Sequence, residues 1–189
     1  MLIKRDASLL LVIDIQEKLA PAIFEGERVV RNSVRLLQGA QLLGVPCYIA
    51  EHCAGSIGPT LPEIRNATTI ETTAGPRVSP IFLPKTHFSC AAEPGVLDLL
   101  RAAQRPQVIV AGMECHVCVL QTAFGLNQAG FEVFLAADAT SSRTPENHQA
   151  AVERMRAGGI HTVTTEMVIF EWLQRAGTDD FRALLPLLR

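Results

Sequence analysis

Apolar positions along the chain fall into two alternating patterns. Short, nearly unbroken runs rich in β-branched residues, at 8–13, 46–50, 108–111 and 132–136, predict strands, with shorter candidates at 81–83 and 161–163. Between them apolar residues recur every three or four positions. That spacing predicts helices over 27–43, 93–103, 117–129, 145–157 and 166–175, with Gly44, Pro106, Gly130, Gly158 and Gly177 as their stops. Unbroken rather than alternating apolarity in the strands means that both of their faces are covered, as in a parallel sheet between helical layers. The expected architecture is therefore α/β: a single-domain, doubly wound, mostly parallel sheet with helices on both faces. Residues 51–80, with their Gly, Pro and Thr and no clear period, read as one long loop of the kind that usually serves a function.

Composition narrows the class. A chain of 189 residues with 48% apolar content can bury one good core, so residues 1–189 are expected to form one domain. Seventeen basic against nineteen acidic residues, without a basic cluster, make nucleic acid an unexpected partner. The longest apolar run near the start, SLLLVI, is far shorter than the roughly 18 residues a membrane span needs, so no membrane partner is expected. No leader-like segment precedes it, and five cysteines lack the density of a disulfide scaffold. A cytoplasmic protein with reduced thiols is the expectation.

In a doubly wound sheet the ligand sits beyond the carboxyl ends of the strands, which directs attention to the residues ending them. The first strand ends in Asp14, readable as a helix cap or as a site acid. The strand at 81–83 is followed by Lys85, readable as a solvated charge or as a site cation. The strand at 108–111 leads through GMECHV to Cys118, expected in the first turn of the next helix, where free N–H groups and the positive dipole end favour a thiolate. Cys115 and Cys118 also form a C-x-x-C spacing, which suits a redox pair or half of a metal site. Together the three strand ends supply a base, a cation and a nucleophile, a complete set for acyl transfer.

The segments IDIQEKL, PKTHFSC, AGMECHVCVLQTAF and LAADATSSRTPE resemble the isochorismatase-like cysteine hydrolases, a family that includes nicotinamidase and N-carbamoylsarcosine amidase. GPTLPEI and TTEMVIFEWL are similar to isochorismatase-domain proteins of mostly unassigned substrate. The resemblance covers nearly the whole chain in order and implies the same doubly wound sheet. It implies Asp14, Lys85 and Cys118 as the catalytic triad and a cis peptide at Met113-Glu114. The backbone N–H groups of Glu114 and Cys118 are then expected to form an oxyanion hole. It further implies a small-molecule substrate and a homo-oligomer, and it places residues 138–146 along the far side of the site.

Two departures bear on substrate and cofactor. Family members commonly have Thr where Cys115 stands, and nicotinamidases carry an Asp-x-His after the second strand, where this chain has Glu51 and His52 side by side. Zinc on Cys115, Cys118 and His52 would consume the nucleophile, so no metal and no cofactor is expected. Gln16, His52, His87, Phe88 and Cys115 are candidates for the substrate pocket. His148 and His161 read as residues without a role, Cys47 as core, and Met167, Phe170 and Trp172 as a packing face toward core or another subunit. The expected reaction is hydrolysis of a small amide or carbamoyl C–N bond through a thioester. Vinyl ether hydrolysis of the isochorismate type, and a silent binding or scaffold role, are the alternatives.

Overall fold

The computed structural model describes residues 1–67 and 79–188. Among them six strands form one sheet: β1 (Ser8–Ile13), β2 (Cys47–His52), β3 (Ile81–Lys85), β4 (Gln107–Gly112), β5 (Glu132–Thr140) and β6 (His161–Val163). Their spatial order is β3-β2-β1-β4-β5-β6, and every pairing is parallel. The chain winds outward from β1 to β3, crosses back to β4, and winds outward again. The reversal lies between β1 and β4.

The connecting helices are α1 (Gly26–Leu43), α2 (Ala54–Ile57), α3 (Pro62–Asn66), α4 (Val96–Ala102), α5 (Leu120–Gln128), α6 (Pro145–Ala157), α7 (Thr165–Leu173) and α8 (Asp179–Leu184). β1 explains why the strand signal is unbroken. Its Leu10 and Val12 join a core with Leu36 and Leu37 of α1 and Val168, Ile169 and Trp172 of α7. Leu9, Leu11 and Ile13 join the opposite core with Leu100 of α4, Leu126 of α5 and Met155 of α6. Two helical layers cover one sheet, which is the doubly wound architecture.

Local chemistry accounts for several boundaries. Thr144 caps α6 by accepting from the Asn147 N–H, with Pro145 in the first helical position where its missing N–H costs nothing. Gly44 ends α1 at φ 68°. Pro84 sits in β3, an edge strand, where one absent donor is tolerated.

The structure also departs from the periodicity. The helix expected from 93 starts only at Val96, because Gly95 at φ 80° breaks the path and leaves Glu93 at the end of a 3-10 turn. The helix expected to reach 175 ends at Leu173, with Gln174 at φ 58°, and Gly177 instead precedes α8. α2, α3 and α8, at four to six residues each, are too short to show a period. Within the segment read as a loop, β2 continues to His52 and α2 and α3 follow, while 68–78 lie outside the described residues. Trp172 is core, but Met167 and Phe170 are exposed. No helix of the described residues is long and apolar enough to cross a membrane.

The switch point is tight. Gly112 pairs with Ile13 at φ 119°, where a Cβ would lie 2.0 Å from the Ile13 carbonyl oxygen. Only glycine lets β4 approach this closely. Just beyond, the Met113 N–H donates to Ile13 O at 2.8 Å and the Asp14 N–H to Ala50 O at 3.2 Å. The residues following β1 and β4 thereby meet at one edge.

Candidate active site

Asp14 leaves β1 in the left-handed region, φ 52°, and turns its carboxylate inward. There Oδ2 accepts from Lys85 Nζ at 2.7 Å, with both side chains 1% exposed. Lys85 comes from β3, and β2 lies between β3 and β1, so the three strand ends are not all neighbours. The length of the lysine side chain spans the gap. Its ammonium also donates to the carbonyls of His87 at 3.3 Å and Phe88 at 3.2 Å. An ammonium has three hydrogens, so Lys85 is saturated by the protein.

Asp14 Oδ1 is buried and accepts no hydrogen bond of regular geometry. The Cys118 thiol lies near enough for the two groups to shift each other's ionisation through hydrogen bonding and charge. Burial raises the Asp14 pKa above the usual carboxylate range, and Lys85 only partly offsets this. Burial works to lower Lys85, but the charge and hydrogen bond of Asp14 outweigh it and leave the ammonium more basic than usual. Cys118 is pushed up to about 12, first by burial and then by the Asp14 charge, against the pull of Lys85. The expectation of a thiolate favoured by the helix start is thus corrected: Cys118 rests as a thiol. It lies in a π-helical turn, Cys115–Val119, that precedes α5.

That turn is anchored by the segment after β5. Cys115 N–H donates to Ser141 O at 2.8 Å, and His116 N–H to Ser142 Oγ at 3.3 Å, which also lies 2.9 Å from His116 Nδ1. Ser141 Oγ donates to Phe24 O at 2.6 Å, and Phe24 N–H to Ser142 O at 2.9 Å. The Met113-Glu114 peptide is cis. The Glu114 N–H has no partner among the described residues, while its carboxylate accepts from Arg143 Nε at 2.8 Å.

The other pocket candidates separate. His52 stacks on Phe88, ring centroids 5.4 Å apart, beside the triad, and its charge influences Asp14. Its Nδ1 is buried without a partner. His87 is exposed and its Nδ1 lies 2.9 Å from Glu93 Oε2. Cys115 is fully buried, with Thr140 near enough to bear on the ionisation of its thiol. A redox couple needs a thiol of lowered pKa, whereas burial takes both Cys115 and Cys118 up to about 12. Cys90, without a sequence signal of its own, is buried close enough to Lys85 and Asp14 to feel their charges. His148, read as having no role, joins α6 to the end of β5, its Nε2 3.2 Å from Thr140 Oγ1.

Gln16 is committed to the backbone. It is fully buried, its Nε2 donating to His52 O at 3.1 Å and Gly58 O at 2.6 Å, and its Oε1 accepting from the His52 N–H at 2.8 Å. Its role is to tie β1 to the end of β2. Gln16→Ala leaves those three backbone groups unpaired and is expected to cost about 2 kcal/mol. Urea unfolding of the variant would measure that loss, and a midpoint equal to wild type would contradict it.

A surface hollow of about 760 Å³ between α1, α3 and the C-terminal turn contains none of the triad. Chemistry rather than volume locates the site. Among the described residues, no group of three or more His, Cys, Asp or Glu is placed to hold a metal ion.

Comparison with known proteins identifies the family. Residues 8–167 match the isochorismatase domain. Isochorismatase domain-containing protein 2 of Danio rerio is 35% identical over 181 residues, covering 96% of this chain and 86% of that protein. The structure described as MAR1 ribonuclease from Caenorhabditis elegans superposes with a TM-score of 0.88 at 31% identity, covering 100% of this chain and 92% of the other. YcaC from Pseudomonas aeruginosa, described with hexane-2,5-diol and covalent acrylamide, has a TM-score of 0.86 at 21% identity over 98% of this chain and 91% of its own, which speaks for the fold alone. A domain match over most of the chain, joined to relatives above 30% identity along nearly all of it, makes this protein a member of the isochorismatase family of hydrolases.

Proposed function

We propose that the protein is a cysteine-dependent hydrolase of a small amide or carbamoyl compound, working through a thioester on Cys118. The observation that supports this most is the saturation of Lys85. With its three hydrogens on Asp14 and two carbonyls, Lys85 holds one carboxylate oxygen and leaves the other toward Cys118. Asp14 takes the thiol proton as sulfur attacks the carbonyl carbon. The oxyanion is held by the N–H groups of Glu114 and Cys118. Ammonia or an amine leaves with the proton from Asp14. Water, giving its proton to Asp14, then cleaves the thioester, and the acid product departs as Cys118 is reprotonated. These steps are proton and acyl transfers by the chain's own groups, and they call on no cofactor.

The chain is proposed to work as one domain over residues 1–189 and, with five unpaired cysteines, in the cytoplasm. The exposed Leu2, Met167 and Phe170 suit coverage by a second copy in a homo-oligomer. The ribonuclease description belongs to the C. elegans protein; a net charge of −2 gives no electrostatic footprint for RNA here.

Labelling with substoichiometric acrylamide, read by intact mass and peptide mapping, tests the proposal. Cys53 is the one cysteine that is not buried. Accessibility alone would label Cys53 first, whereas an activated nucleophile puts the first adduct on Cys118. Adducts on Cys53 ahead of Cys118 would count against the mechanism.

A further inference from the structure

The turn from Thr86 to Phe88 is held from two sides. Within the fold, the Lys85 ammonium donates to the carbonyls of His87 and Phe88. Outside, Glu93 Oε2 accepts from the Thr86 N–H at 3.0 Å and the His87 N–H at 3.1 Å, and lies 2.9 Å from His87 Nδ1. Glu93 thus fixes the first two peptide planes of the turn, and the next two supply the carbonyls that hold Lys85. The segment carrying Glu93 doubles back on the turn because Cys90–Ala92 forms a 3-10 turn and α4 is delayed to Val96.

We infer that Glu93, clasped by His87, is a positioning residue that sets the Lys85 ammonium, and through it the Asp14 carboxylate, for the proton transfer from Cys118. This rests on the hydrolase mechanism proposed above. Two of the three acceptors of Lys85 are carbonyls of a turn with no strand or helix of its own. A free turn would let them wander, and the buried ammonium would be left under-satisfied. Glu93 meets the condition of remaining anionic, because its hydrogen bond to His87 and then those from the backbone N–H groups bring its carboxyl down to about 2. The same turn carries Phe88, whose ring lies on His52, so the clamp also sets one wall beside the triad.

The test is the pH profile of Cys118 alkylation by acrylamide in wild type, Glu93→Ala, Glu93→Gln and Lys85→Met. The ionisable groups around the reacting thiol are Asp14, Lys85, His52 and Cys90. Glu93→Ala is expected to slow the reaction at pH 7 about tenfold and to displace the midpoint of its rising limb by about one unit. Glu93→Gln keeps an acceptor oxygen for the backbone and is expected to retain about half of the wild-type rate, a rescue that loss of bulk stability would not give. It also serves if the alanine variant fails to fold. A wild-type profile in both Glu93 variants, with a changed profile in Lys85→Met, would overturn the positioning role alone. An unchanged profile in Lys85→Met as well would overturn the triad mechanism and this inference together.

Discussion

Asp14→Asn is expected to slow alkylation of Cys118 at pH 7 by about 10²- to 10⁴-fold, the range typical for loss of a positioned general base. With the thiol pushed up to about 12 by burial and the neighbouring carboxylate, little free thiolate is present at pH 7. Reactivity therefore depends on a proton acceptor in place rather than on spontaneous ionisation. Asp14 is that acceptor, with an oxygen not taken by Lys85. Asn keeps the shape and cannot take the proton. The pH dependence follows from the raised Asp14 pKa: the carboxylate is a base only above it, so the wild-type rate climbs through that value and levels off. In the variant that limb disappears, and the rate rises only in the alkaline range as Cys118 itself ionises. Stopped-time alkylation from pH 4 to 10, followed by mass, would compare the two curves. Superimposable profiles would remove Asp14 from the role of base.

The residues that make this prediction possible were legible to different degrees. β1 could be read directly because a strand buried on both faces leaves an unbroken apolar run, and the same holds for β4 and β5. Asp14, Lys85 and Cys118 could be picked out because a doubly wound sheet gathers its ligands at strand ends, and because family motifs surround all three. Orientation was not legible. Gln16 follows Asp14 by two residues, yet its amide is spent on the backbone of His52 and Gly58, a contact across 42 positions that no local pattern reveals. Glu93 was read as a helix residue, since nothing in the apolar spacing registers that Gly95 takes φ 80°. Cys118 was expected as a favoured thiolate from its place at a helix start, whereas the depth of burial, a tertiary property, dominates its acidity. The resemblance placed Ser141 and Ser142 only along the far side of the site; their hold on the nucleophile turn exists only once β5 lies beside β4.

The second large effect is on stability. Lys85→Met is expected to destabilise the fold by about 3–5 kcal/mol at neutral pH, because it strands a buried carboxylate and leaves two part-buried carbonyls without their donor. The loss should grow with pH. Asp14 already has a folded-state pKa above 3.8, so its contribution to stability is complete below 3.8 and is lost as pH rises through the folded value. Without Lys85 nothing comparable draws that pKa down, and the folded protein must carry either a protonated Asp14 or an unpaired charge. Urea unfolding at pH 5 and pH 8 should give the larger deficit at pH 8, and a deficit independent of pH would show that Asp14 is not the group responsible. The double variant Asp14→Asn, Lys85→Met removes both charges and should recover much of the stability, since a buried ion pair can often be replaced by neutral groups at little cost. It should recover none of the Cys118 reactivity. Stability regained without reactivity would mean that the fold does not need this pair of charges at its switch point, and that the chemistry of the neighbouring thiol does.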